Sequence, residues 1–274
     1  MLYHTDTDCV CEALDVAQGA FCLDMPFFEC QIKESTWKPV HYPNKSNAMK
    51  RSRINALIRE SLDFFQRQSF YLPAWGYWTP DRWRGEAPQV REIVDAMLGW
   101  DLTDFGRGDF EKAGLVLFTL RNGILDDPRY PKPYAEKIMM VRENQETPMH
   151  FHWNKMEDII NRGGGNLVIE LYGATENEQL AGEPLTVKID GIPREVPPGG
   201  SVVLTPGESI CLEQRLYHRF YGERGKGDVL VGEVSSVNDD TRDNRFLERA
   251  GRFPEIDEDE APVHLLATDY ARFL

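Results

Sequence analysis

His150 and His152 stand two residues apart, and Glu157 follows five residues after the second. On a β-strand, residues i and i+2 project from one face, so both imidazoles point the same way. A turn after Trp153 brings Glu157 back beside them on the next strand. Two imidazoles and a carboxylate converging on one point suit a divalent transition metal such as Mn, Fe, Co, Ni or Zn. The chain has six histidines. His4, His41 and His264 lie near its ends, which leaves His218 as the candidate fourth ligand.

Three further residues break the pattern of their surroundings. Glu233 alternates with Val229 and Val231 on an otherwise apolar strand face. An acid there requires a partner or a functional cavity. Lys137 opens an apolar strand, and Lys155 sits between the histidines and Glu157. Glu233 and Lys155 are the candidate catalytic pair, and Lys137 is a candidate substrate contact.

The elements that must position these groups change character along the chain. Residues 1–48 show poor periodicity and carry four of the five cysteines; the expectation is a leader or a disordered segment. The cysteine spacings lack paired C-x2-C units, and no basic and apolar secretory signal precedes them, so neither a zinc site nor disulfides are expected. Residues 49–112 read as a helical region packed on a C-terminal β domain. Ile54, Leu57, Ile58, Leu62 and Phe65 recur at helical spacing over 50–69. An aromatic passage rich in Pro and Gly reads as loop. A second helix is expected over about 86–99, with Val90, Ile93, Val94 and Met97 on one face, ended by 101–108. From 113 onward the period becomes two, with eight or more short strands separated by Gly and Pro turns. That pattern predicts a mainly β domain, an antiparallel sandwich or jelly-roll barrel spanning 113–274 with its C-terminal extension. The acidic run 255–260 reads as a solvated loop, and 263–274 as a closing strand or helix.

Length, 274 residues, permits one large domain or two small ones. A net charge of −14 disfavours nucleic acid as a partner. No apolar run approaches the roughly 18 residues of a membrane span, and a cytoplasmic location is the expectation.

His150-x-His152-x4-Glu157-x6-Gly164 resembles the first cupin motif, and Gly200-x5-Pro206-Gly followed by His218 resembles the second. Asn144 stands where the first motif usually begins with Gly, and the gap from Pro206 to His218 is long. This resemblance implies a double-stranded β-helix with the metal inside. A closer one is carried by the string from His150 to Gly165 together with Glu233-Val-Ser-Ser-Val-Asn-Asp-Asp-Thr-Arg-Asp-Asn-Arg-Phe. These residues resemble the D-lyxose ketol-isomerase family, from Met49 to the C-terminus. The resemblance implies a manganese-dependent homodimer that interconverts D-lyxose and D-xylulose, and D-mannose and D-fructose. It implies His150, His152, Glu157 and His218 as metal ligands. Lys155 and Glu233 would then stand beside the sugar, and the 239–245 loop, with Asp243 and Arg245, would contact its hydroxyls. Two other readings are open: a cupin dioxygenase or decarboxylase acting on a small acid, and a cupin that binds sugar without turnover.

Overall fold

The computed structural model describes residues 48–239, 242–251 and 254–274; the expectation for the N-terminal leader falls, up to residue 47, outside them. The strands are β1 (Met49–Lys50), β2 (Gly99–Thr103), β3 (Leu115–Arg121), β4 (Tyr134–Val141), β5 (His150–Phe151), β6 (Glu157–Gly164), β7 (Leu167–Gly173) and β8 (Leu185–Ile189). They continue with β9 (Ile192–Val196), β10 (Ser201–Leu204), β11 (Ser209–Leu212), β12 (Leu216–Gly222), β13 (Val229–Ser236), β14 (Arg245–Phe246) and β15 (Ile256–Asp257). The helices are α1 (Arg51–Arg67), α2 (Pro80–Glu86), α3 (Arg91–Asp95) and α4 (Tyr270–Phe273).

Two antiparallel sheets carry the domain. One has the order β2-β3-β4-β13-β6-β11-β8-β9, the other β10-β7-β12-β5-β14. Their inner faces share one core, in which Leu117, Met139, Val231 and Ile159 of the larger sheet pack with Ile169, Leu171 and Phe220 of the smaller. This is the double-stranded β-helix of the cupins.

The outer face of β2, β3 and β4 is also covered. Ile54, Leu57, Ile58 and Phe65 of α1 pack there against Val116, Phe118, Ile138 and Met140. Coverage on both faces explains why 115–118 is a continuous apolar run with no alternation. Gly164 ends β6 at φ 86°, and a Cβ there would lie 2.3 Å from the Asp228 carbonyl oxygen. The backbones pass too closely for any side chain, which accounts for the glycine at this motif position.

One expectation is corrected and another extended. No single helix spans 86–99: α2 ends at Glu86, a 3-10 turn follows at Ala87–Gln89, and only the short α3 lies beyond it. Pro88 interrupts the ladder of hydrogen bonds. Met97, expected on a buried face, is 48 % exposed with φ 52°. The chain reverses there and enters β2, so Asp101 belongs to a strand. The acidic run is solvent-exposed, as expected, and it is also anchored. Glu258 and Asp269 both bind the fully buried Arg51, Asp259 accepts from Ser52, and β15 pairs with β1. These contacts fasten the C-terminal segment to the start of α1. No helix among the described residues is long and apolar enough to cross a membrane.

Candidate active site

The three histidines come from two paired strands. His150 is the register partner of His218 across β5 and β12, and His152 follows at the end of β5. Their ligating nitrogens lie within 4.8 Å of one another. Each Nδ1 contacts a backbone carbonyl: Pro148 O at 2.8 Å from His150, Asp243 O at 2.8 Å from His152, and Leu216 O at 2.9 Å from His218. A carbonyl only accepts, so each Nδ1 carries the proton and each Nε2 presents a lone pair.

Glu157 reaches the same point from β6. Its Oε1 is 3.1 Å from His218 Nε2 and 3.4 Å from His152 Nε2. His218 Nε2 is buried and has no hydrogen-bond partner. A lone pair facing a carboxylate oxygen is repulsive unless a cation stands between them. The spacing is that of neighbouring ligands around an ion with bonds of about 2.1 Å. The residues therefore fit a divalent metal. Burial and the neighbouring His218 and His152 hold His150 well below the usual imidazole range, which keeps it neutral and able to ligate. Burial alone would raise the Glu157 carboxyl, but the Lys155 ammonium beside it outweighs burial and holds it well below the usual carboxylate range.

Beside this cluster lies a second one, made of charges. Lys155 Nζ is 2.7 Å from Glu157 Oε2 and 3.0 Å from Glu233 Oε1. Lys137 Nζ is 3.3 Å from the same Glu233 oxygen. Lys137 and Glu233 are register partners on β4 and β13, which is why their side chains meet. All three residues are buried, yet all three line one cavity together with the histidines and Glu157. The lining also includes apolar Phe105, Leu117, Met139 and Phe246, the last with its ring centroid 5.4 Å from that of His150.

Sequence reasoning puts Asp243 and Arg245 against a sugar. In the structure the Asp243 carboxylate accepts from the backbone N–H of Asn154 at 2.8 Å and of Lys155 at 2.7 Å. Arg245 pairs with Glu178 at 2.8 Å. Neither lines the cavity; Asn244 and Phe246, between and beyond them, do. Residues 242–247 form a strap across the mouth. It is tied by β14 to β5, by Leu247 N–H to Met149 O, and by Asp243 O to His152. Sequence reasoning also misses Asn238 and Asn122, which stand behind the lysines and whose contacts depend on a long-range fold.

A jelly-roll of two antiparallel sheets with imidazoles and a carboxylate converging at its mouth defines a cupin of metal-binding type. The family model described as D-lyxose isomerase matches residues 49–270. The chain belongs to that family. It is 51 % identical over 227 residues to the D-lyxose/D-mannose isomerase of Serratia proteamaculans, covering 82 % of this chain and all of that one. It is also 51 % identical over 226 residues to the D-lyxose/D-mannose isomerase of Escherichia coli O157:H7, with the same coverage. Among solved structures, the L-ribose isomerase of Acinetobacter sp. DL28 in complex with L-ribose is similar in fold. It has a TM-score of 0.51 at 15 % identity and covers 77 % of this chain and 99 % of that chain.

Proposed function

We propose that this protein is an aldose–ketose isomerase that interconverts D-lyxose and D-xylulose, and D-mannose and D-fructose. The observation that carries the reading is Glu233, a buried carboxylate on the cavity wall, placed beside the metal-binding cluster by two lysines. Moving a carbonyl between C1 and C2 requires a base to take the C2 proton and return it to C1. Glu233 is that base. Each ammonium group makes its closest contact with Glu233 at Oε1. Lys155 and Lys137 donate to sugar oxygens, matching the negative charge that develops on them in the enediol intermediate.

His150, His152, His218 and Glu157 would hold the metal, with manganese the preferred ion. Bound there, it supplies Lewis-acid stabilisation to adjacent sugar oxygens. The charged side chains of the cavity, two lysines and two glutamates, balance without it. The apolar side chains of the lining demand no hydrogen bond, which suits both a pentose and a hexose. A homodimer working in the cytoplasm, with no nucleic-acid or membrane partner, completes the reading; the acidic net charge and the family support it.

The test is a panel of free aldoses assayed with Mn after chelation, with solvent-deuterium exchange at C2 as the direct readout. D-lyxose and D-mannose lead the panel. Glu233→Gln keeps the metal and lowers both turnover and exchange by about 10² to 10⁴-fold. Undiminished exchange in that variant removes Glu233 as the base, and a panel without turnover removes the isomerase assignment.

A further inference from the structure

Two ammonium groups in one small cavity should repel each other, yet Lys137 and Lys155 converge. Four groups meet in a ring of contacts, with Lys155 held in addition by Glu157 Oε2 at 2.7 Å. Glu233 Oε1 receives both, at 3.3 and 3.0 Å. Asn238 Oδ1 also receives both, at 2.8 Å from Lys137 and 3.3 Å from Lys155. With ammonium groups on this side, the amide must present its oxygen, since its nitrogen would meet donor with donor.

Asn238 is itself held by a second asparagine. The Asn122 side-chain Nδ2 donates to Asn238 O at 2.9 Å, and Asn238 N–H donates to Asn122 Oδ1 at 3.0 Å. One side-chain amide thus satisfies both backbone groups of Asn238 and fixes where its own side chain starts. Asn122 is buried and follows directly after β3, so the rigid sheet is the anchor. Asn238 is only half-buried and does not line the cavity.

We infer that Asn238, locked by Asn122, is a positioning residue that holds the Lys137 and Lys155 ammonium groups on Glu233 in the geometry the proton transfer needs. The inference rests on the isomerase reading above. An amide suits this corner better than a carboxylate. It accepts from both lysines without adding a charge that would compete with Glu233 for them. Releasing this corner loosens Lys137 most, since Lys155 keeps Glu157 at 2.7 Å. The ammonium groups bind the sugar oxygens most strongly once negative charge develops there, so the loss falls chiefly on the chemical step.

The experiment compares Asn238→Ala and Asn122→Ala with the wild type in the manganese-loaded full chain. It measures kcat and KM for D-lyxose, C2 deuterium exchange, metal content and melting temperature. Asn238→Ala is expected to lower kcat and exchange by about 10 to 100-fold, the scale of a misplaced catalytic group. KM should stay within about twofold and metal content should not change. Asn122→Ala, which touches neither lysine, is expected to give a smaller loss with the same split. If Asn238→Ala fails to fold, Asn122→Ala decides. An unchanged kcat, or a raised KM with kcat preserved, overturns the inference while leaving the isomerase reading intact. A wild type with no isomerase activity overturns both.

Discussion

His150 and His218 face each other across the β5–β12 pair, direct register partners whose ring centroids lie 4.3 Å apart. Each is braced at Nδ1 by a carbonyl two residues earlier in the chain, Pro148 for one and Leu216 for the other. The same local geometry is used twice, and it turns both lone pairs toward one point.

Metal removal tests that arrangement. Chelated protein is expected to lose isomerase activity and to melt at a lower temperature, with Mn restoring both. An ion at 100 times its Kd stabilises by about 2.7 kcal/mol. His218→Ala should abolish the metal-dependent part of the melting shift. Calorimetry with and without chelator checks this, and a shift that persists in His218→Ala places the ion elsewhere.

Asp243 ties the strap to two parts of the site at once. Its carbonyl orients His152, and its carboxylate holds the backbone leading into Lys155. Asp243→Ala keeps that carbonyl but unties it from the Asn154 and Lys155 backbone, so the carbonyl behind His152 is less firmly placed, and metal affinity is expected to weaken by about 10-fold. Asp243→Asn should be no milder, because its NH2 would face a backbone N–H. Titration of Mn into the metal-free variants measures both, and wild-type affinity would show the strap to be dispensable.

Arg51 is fully buried between Glu258 and Asp269. Arg51→Ala leaves the Asp269 carboxylate buried without its cation. Breaking such a pair costs about 3–5 kcal/mol. Denaturant unfolding should show that loss as a lower midpoint. Arg51→Met is expected to be no better, since the carboxylates remain. A midpoint within experimental error of wild type would mean that the C-terminal segment is not held by this pair.

His264 is lowered from the usual imidazole range, chiefly by burial. Its unfolded form takes a proton near pH 6.5, whereas its folded form resists it. The unfolded state therefore binds more protons between the two pKa values. The contribution of His264 to stability is fully present above about pH 6.5 and is lost as pH falls through the folded value. His264→Gln should flatten this part of the stability profile of the metal-free protein. An unaltered slope between about pH 7 and about pH 5 in that variant would remove His264 as its source.

The convergence of the histidines is legible in the sequence because strand periodicity is strict. His150 and His152 share a face by parity, and Gly164 marks the close approach that turns the chain. Glu233 stands out because one acid interrupts a valine face. Its neighbours do not stand out. That Lys137 lies opposite it is a matter of register between strands nearly a hundred residues apart, and register is set by the whole sheet. Asp243 reads as a sugar contact because it is acidic and near the site, but its carboxylate is taken by backbone N–H groups. The helix expected over 86–99 fails for a local reason. Val90, Ile93 and Val94 have helical spacing, but Pro88 and Gly99 confine it to a single turn and a half.

The strap also bears on the order in which the protein matures. His152 and the carbonyl that orients it are 91 residues apart in the chain. Until 242–247 cross the mouth, nothing at Asp243 decides which nitrogen of that ring carries the proton. An ion arriving at a half-wrapped barrel meets an undecided ligand. With a metal held there as proposed, tight capture would be a late event, one that reports the docking of residues 242–247.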